Sequence, residues 1–257
     1  MGSNPNRFLE SIGFCSSNQE QLLSSCKELL EQNRSLSNGV YRLRNTHSLE
    51  QYEVYCHMIE IAGCGQGGWT LVIKVDGNKN DFKYNSPYWT NNETYAVEDG
   101  LEGLTETQTK LPSYWNTPFN KLCLGMKVNG VTRWIVVDYQ ASSLFNVIGA
   151  GNFKATAIGR EAWASLINNL SLQNNCNEQG FNIQKKHSVY PDQGMDVRIG
   201  LVANNENDCL SCNSCIGFGT SVRGCNNDVR STTCGNIMAV CRADNRDIAA
   251  FGYILVQ

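Results

Sequence analysis

The sequence predicts a disulfide-rich, loop-rich α+β domain with a central, mainly antiparallel sheet and short helices. Twelve cysteines are spread along 257 residues, an even count that suits a disulfide framework in an oxidising compartment. Short runs of Val, Ile, Leu and aromatic residues recur between glycines and an Asn-Gly pair, which reads as strands and turns. Charged residues make up 18 %, below the usual quarter, and 23 glycines mark a loop-rich globular chain, neither disordered nor coiled coil.

Composition also bounds the partners. The net charge is −3, so there is no basic field to attract nucleic acid or an anionic membrane. No apolar run approaches the roughly 18 residues that a membrane span needs. Met1 to Glu10 is polar, without the apolar core of a secretion leader. The expectation of a secreted, extracellular protein therefore rests on the cysteines. Three sequons, beginning at Asn33, Asn92 and Asn169, agree with it and would make the protein a glycoprotein.

Residues 1–25 are rich in Asn, Ser and Gln and read as an N-terminal tail or linker; residues 26–257 read as one domain. Cys15 lies in the tail, where it pairs either within the domain or with a second chain to give a homo-oligomer. Ser25 and Glu28 form a capping-box pattern ahead of Leu29-Leu30, which predicts a short helix.

Tyr52 to Lys74 organises the chain: two apolar runs flank a glycine cluster and predict a hairpin with a tight connection. Gly63, Gly65 and Gly68 spell G-x-G-x-x-G, but a strand-like run follows instead of the helix N-terminus that would hold a pyrophosphate. Nucleotide binding is therefore not expected. Asp76 to Asp81 resembles half of an EF-hand loop, yet Asp81 stands where Gly is needed and Pro87 where Glu is needed, so a turn is the better reading.

Trp89, Tyr95, Tyr114 and Trp115 follow at irregular spacing, suited to stacking on sugars or to plugging the core. Lys121 to Val128 and Val131 to Tyr139 flank Asn129-Gly130, the strongest short hairpin signal. Trp163, Leu166, Ile167 and Leu170 share one face of a helix predicted over Arg160 to Leu172. Val197 to Ala203 and Phe251 to Val256 read as short buried strands, the last closing the central sheet.

Cys209, Cys212 and Cys215 recur at C-x₂-C spacing, which suits zinc ligands. Neither Cys225 nor Cys234 supplies a second C-x₂-C pair, and the scattered upstream cysteines favour disulfides. No helix opens at this C-x-x-C, so nothing obvious lowers a thiol pKa for redox catalysis. Among His47, His57 and His187 none belongs to H-E-x-x-H, and there is no G-x-S-x-G elbow. The chain is expected not to be an enzyme. A cavity holding His187 beside a carboxylate and a nucleophile would overturn that.

Several stretches in order carry a family resemblance: S-C-K-E (Ser25 to Glu28), S-N-G-V-Y-R-L (Ser37 to Leu43), Y-E-V-Y-C-H-M (Tyr52 to Met58) and G-G-W-T-L-V (Gly67 to Val72). S-C-I-G-F-G (Ser214 to Gly219) and C-G-N (Cys234 to Asn236) return to it late in the chain. Together they resemble the fibrinogen-related domain superfamily, fibrinogen C-terminal-like in fold and closer to the intelectin-like branch. The resemblance implies a Cys26–Cys56 disulfide tying the first helix to the hairpin. It also implies a lectin-like calcium site in the C-terminal loops, beside a carbohydrate-binding pocket.

Asn204 to Asp208 is a run of oxygen donors of the kind hard cations take. Asn205, Glu206 and Asp208 are the calcium candidates, with Asp228 and Asp247 as further carboxylates. The plain alternative is a solvated turn. The chain departs from the intelectin-like pattern where a ligand would sit. Ser214 stands in place of a histidine and Arg223 in place of an acid, and no Phe, Tyr or Trp occurs from Thr220 to Ala250. Ser214 and Arg223 are nonetheless the positions expected to face a ligand, by a chemistry different from the family's.

The sequence thus predicts a secreted recognition module that binds a glycan or an extracellular protein through its C-terminal loops, with calcium. The alternative is a disulfide-braced structural or extracellular-matrix protein that keeps the fold without a sugar site.

Overall fold

A computed structural model describes residues 23–45, 48–186, 193–223, 229–230, 232–238 and 247–257. Cys15, His47, His187, Cys225 and Asp228, all weighed above, lie outside the described residues, as does Cys241.

The first helix forms as its cap predicts. In α1 (Cys26–Gln32) the Ser25 hydroxyl accepts from the Glu28 N–H. The Glu28 carboxylate reaches back to accept from the Ser24 N–H at 2.8 Å and hydroxyl at 2.9 Å, and the Cys26 N–H donates to the Thr70 hydroxyl at 3.1 Å, so the Glu28 and Cys26 N–H groups at the helix start are both satisfied. Strands β1 (Gly39–Arg44) and β2 (Gln51–His57) pair antiparallel, followed by β3 (Trp69–Asp76).

Short helices α2 (Val97–Leu101) and α3 (Ser113–Asn116) flank β4 (Thr109–Lys110). The predicted Asn-Gly hairpin joins β5 (Phe119–Val128) to β6 (Val131–Ala141), with positive φ at both Asn129 and Gly130, as a tight two-residue turn requires. Then come α4 (Leu144–Ile148), β7 (Lys154–Ala155), α5 (Arg160–Ala164), β8 (Asn175–Lys186), β9 (Gly194–Asn204) and β10 (Ser214–Arg223). Last are β11 (Val229–Arg230), β12 (Cys234–Met238), β13 (Ile248–Ala249) and β14 (Phe251–Val256).

Among the described residues these strands make two seven-stranded antiparallel sheets. The first runs β1-β2-β3-β14-β5-β6, with β4 beside β3; the second runs β13-β12-β10-β9-β8-β7, with β11 beside β10. The C-terminal strand lies between β3 and β5 and is buried at every position. One apolar cluster draws on both sheets: Val72, Leu122 and Ile254 from the first, and Phe181, Ile199, Ile216 and Phe218 from the second. A second cluster, with Cys26, Leu43, Val54 and Tyr253, covers the other side of the first sheet. A third, with Ile183, Val197, Val202, Cys212 and Ile237, lies over the second sheet. The chain is a disulfide-rich α+β domain.

The mainly antiparallel architecture is as expected, divided among the described residues between two sheets. Two local expectations are corrected. The Tyr52 to Lys74 unit is no tight hairpin: β2 and β3 pair only at Cys56↔Thr70 and His57↔Trp69, and residues 58–68 form a loop. Ile61 and Gly65 exchange backbone bonds within it at 2.9 Å, and the Cys64–Cys123 disulfide draws it onto β5. The helix predicted over Arg160 to Leu172 stops at Ala164. There the Ser165 hydroxyl donates to the Ala162 carbonyl at 2.7 Å, and the Arg160 guanidinium holds the Leu172 carbonyl at 2.7 Å, folding the segment back. Trp163, Leu166 and Ile167 are buried all the same.

The Asp76 turn accepts a bond from the Asn78 N–H at 3.0 Å and is tied to the second sheet through the Thr233 hydroxyl, which donates to Asp76 O and Lys79 O. Of the irregular aromatics, Trp89 and Tyr114 are wholly buried, while Tyr95 and Trp115 pack against the main core. The Lys110 ammonium lies 4.6 Å from the centre of the Tyr114 ring and 5.6 Å from that of Trp115. These aromatics surround a residue of the protein itself.

Candidate functional site: an amide-lined cleft beside the cysteine-rich loop

The segment before β8 is held against the end of the second sheet by buried side chains. Asn236, on β12, accepts from the Ser171 N–H at 2.8 Å through Oδ1 and donates to the Cys215 carbonyl at 2.8 Å through Nδ2. Ser214, the first residue of β10, accepts from the Gln173 N–H at 3.0 Å. Both anchors are wholly buried. The Asn175 amide then reaches the Asn205 carbonyl at 2.7 Å, which joins this segment to the loop between β9 and β10.

Between the segment and the loop lies a cleft of about 590 Å³, lined by Ser171, Leu172, Gln173, Asn174, Asn175, Asn205 and Met238. No lining residue is charged. Carboxamides offer a donor and an acceptor on one planar group, and the hydroxyl of Ser171 offers both on one atom. Leu172 and Met238 supply apolar surface among them. Gln173 Oε1 is buried without a hydrogen-bond partner, a costly state for a polar atom.

The loop with the calcium candidates forms one wall. Asn205 Oδ1 accepts from the Asn213 amide at 2.9 Å. Asp208 accepts from the Leu210 N–H at 2.8 Å and from the Ser211 hydroxyl at 2.6 Å, and the Asn204 amide donates to the Asp208 carbonyl at 2.7 Å. Glu206 is exposed. Asn205, Glu206 and Asp208 therefore share one short loop of amide and carboxylate oxygens, the donor type a hard cation takes, with Asn205 and Asp208 already engaged in holding the loop. Asp247 immediately precedes β13, at the opposite side of β12 from β10. Among the described residues, no group of three or more His, Cys, Asp or Glu side chains converges as a metal site.

The structure separates the two positions expected to face a ligand. Ser214 touches the cleft only through the Gln173 backbone. Arg223 ends the same strand, about 30 Å away at strand rise, and its guanidinium lies 3.5 Å from the Asp196 carboxylate. Burial raises the Asp196 pKa, with Arg223 the largest of the opposing influences. Reasoning from the sequence missed Gln173, Asn174 and Asn175; the one signal for them is the run S-L-Q-N-N (Ser171 to Asn175), polar yet placed directly before a strand.

Disulfides brace both sheets. Cys26–Cys56 is present, as the resemblance implied, with Cys64–Cys123 and Cys176–Cys209. Cys209 is thus a half-cystine and not one of a set of zinc thiolates. Cys212, Cys215 and Cys234 are buried thiols.

A second cleft, of about 620 Å³, opens beside the 58–68 loop and is lined in part by His57, Glu60, Arg133 and Trp134. Burial lowers the His57 pKa. Its Nδ1 meets the Tyr55 hydroxyl at 3.4 Å, a phenol whose pKa burial raises, so the pair holds no activated nucleophile.

No family model matches the chain. Among solved structures it is similar to the fibrinogen-like globe domain of human ANGPTL2, with 19 % identity and a TM-score of 0.31 over 56 % of this chain and 55 % of that one. The alignment thus spans about half the length of that structure. A likeness of this strength fixes neither family nor function.

Proposed function

We propose that this chain is an extracellular recognition module that binds a glycan in the amide-lined cleft, with calcium at the adjoining Asn205–Glu206–Asp208 loop. The observation that carries the reading is the lining itself: uncharged amides and a hydroxyl beside the apolar Leu172 and Met238. A sugar's hydroxyls both donate and accept, and its C–H face suits Leu172 and Met238. The lining itself offers no charged side chain to a charged ligand. The three disulfides among the described residues support a location outside the reducing cytosol. Among the described residues, no helix is long and apolar enough to cross a membrane.

The fibrinogen-related motifs from Ser25 to Val72 support the same class of function; the intelectin-like placement has those motifs alone behind it. Ser214 serves here as a positioning residue for Gln173, and Arg223 has no part in this cleft.

A glycan array probed in calcium and again in chelator tests the reading. Binding that calcium strengthens is expected. A silent array together with self-association or matrix association would favour the structural protein instead.

A further inference from the structure

Three sulfurs meet beneath the loop that carries Asn205. Cys176, at the start of β8, is bonded to Cys209. The Cys212 sulfur lies 3.5 Å from that of Cys176, in contact with the existing disulfide, and 3.3 Å from the Cys209 carbonyl. The C-x₂-C spacing thus brings two cysteines of one short loop to a single partner. Cys176 itself sits where the β8–β9 register shifts, between Asn175 and Glu178, with φ at 68° followed by 57° at Asn177. That irregular backbone is not locked into the strand ladder.

We infer that Cys176 exchanges partners between Cys209 and Cys212, giving the loop beside the cleft two covalent settings. Cys212 loses its proton to solvent and its thiolate attacks the Cys176 sulfur. The Cys176–Cys212 bond forms as the Cys176–Cys209 bond breaks, and Cys209 leaves as a thiolate that takes up a proton. One disulfide and one thiol stand on each side, so no external oxidant or reductant is needed.

In the first setting the loop is pinned beside Asp208. In the second it is pinned beside Asn213, and residues 205–211 are held by their side-chain hydrogen bonds alone. Because Asn205 lines the cleft, the pairing sets the position of one wall. That consequence rests on the cleft being the ligand site; the exchange does not.

The surroundings set the pace. Burial pushes the Cys212 thiol up to about 12; Lys185 acts to lower it, while Glu178 and Asp208 act to raise it. The Lys185 ammonium is itself paired with Glu178 at 2.7 Å, and the neighbouring Cys215 thiol is also pushed up by burial. Exchange is therefore slow at neutral pH and driven by base, its rate rising about tenfold per pH unit below the thiol's pKa.

The test uses the full chain. Samples held at pH 7 and pH 9 are quenched in acid, alkylated under denaturing conditions and cleaved after Leu210, so that Cys209 and Cys212 fall on separate peptides for mass spectrometry. Both Cys176–Cys209 and Cys176–Cys212 peptides are expected, with the mixture settling about a hundredfold faster at pH 9 than at pH 7. Cys176–Cys209 alone at both pH values would overturn the inference.

A Cys209→Ser chain folded in oxidising buffer provides a second reading. It is expected to form Cys176–Cys212, and recovery of both as alkylated thiols would equally overturn the inference. Pairing is read by mass and not by binding, so a silent glycan array removes the proposed ligand and leaves this result standing.

Discussion

The buried Ser214 hydroxyl accepts a hydrogen bond from the backbone N–H of Gln173 at 3.0 Å, so a strand residue with no exposed surface sets the place of a cleft residue. Ser214→Ala leaves that N–H without its acceptor. The expected loss is about 1–2 kcal/mol of stability in urea denaturation. Glycan affinity should fall as well, although Ser214 lines no part of the cleft. An unchanged affinity would show that the segment keeps its place without Ser214.

The Cys64–Cys123 disulfide joins positions 59 residues apart and holds the 58–68 loop on β5. On the chain-entropy account, closing a loop of that length contributes roughly 4 kcal/mol. The Cys64→Ser, Cys123→Ser double variant should lose stability of that order in denaturant melts. A loss under about 1 kcal/mol would show that the loop is held by its packing alone.

Lys74 is wholly buried, and its ammonium donates to Asp99 O, Gly103 O and the Thr105 and Thr107 hydroxyls at 2.7–3.4 Å. Burial lowers its pKa from the usual 10.5 to about 8, with Asp99 and Glu102 opposing. Between those values the unfolded chain keeps a proton that the folded chain has released. The contribution of this group to stability therefore rises with pH from about 8 to 10.5 and is flat below. The stability difference between wild type and Lys74→Met should move in favour of the wild type across that window. Taking the difference removes the opposing titration of thiols and tyrosines that the two chains share. A difference independent of pH would contradict the lysine's assigned environment.

Gly125 lies under the Trp134 ring, and a Cβ there would fall 2.4 Å from two ring carbons. Gly125→Ala must lift the indole from β5 and away from Tyr253, whose ring centre is 5.5 Å from it. A cost of about 1–3 kcal/mol and a changed Trp fluorescence spectrum are expected. A neutral variant with an unchanged spectrum would show that the ring slides aside freely.

Much of the first sheet was legible in the sequence. Asn129-Gly130 announced its hairpin, Ser25 and Glu28 announced the first helix, and the continuous apolar run Phe251 to Val256 announced a strand buried on both faces. The second sheet was harder to see because β8, N-C-N-E-Q-G-F-N-I-Q-K-K, carries amides and charges at many positions. One of them, Asn182, is satisfied only in three dimensions, donating to the carbonyls of Ile148 and Asn152 and accepting from Arg198.

The cleft was half legible. Asn205 stood out as an oxygen donor, but Gln173 gains its role from Ser214, forty-one positions away, a distance no local pattern spans. Arg223 was assigned to a ligand by its alignment with a motif, and the length of β10 carries it to the opposite end of the strand from Ser214.

The most direct test of the central claim is calorimetric titration of the strongest array glycan into the wild type, Gln173→Ala and Asn205→Ala, each with calcium. A cleft that holds the sugar through these amides predicts at least about a tenfold weaker Kd for each variant, or about 1.4 kcal/mol, at unchanged fold by circular dichroism. Wild-type affinity in both variants would place the ligand elsewhere on the molecule and contradict the account.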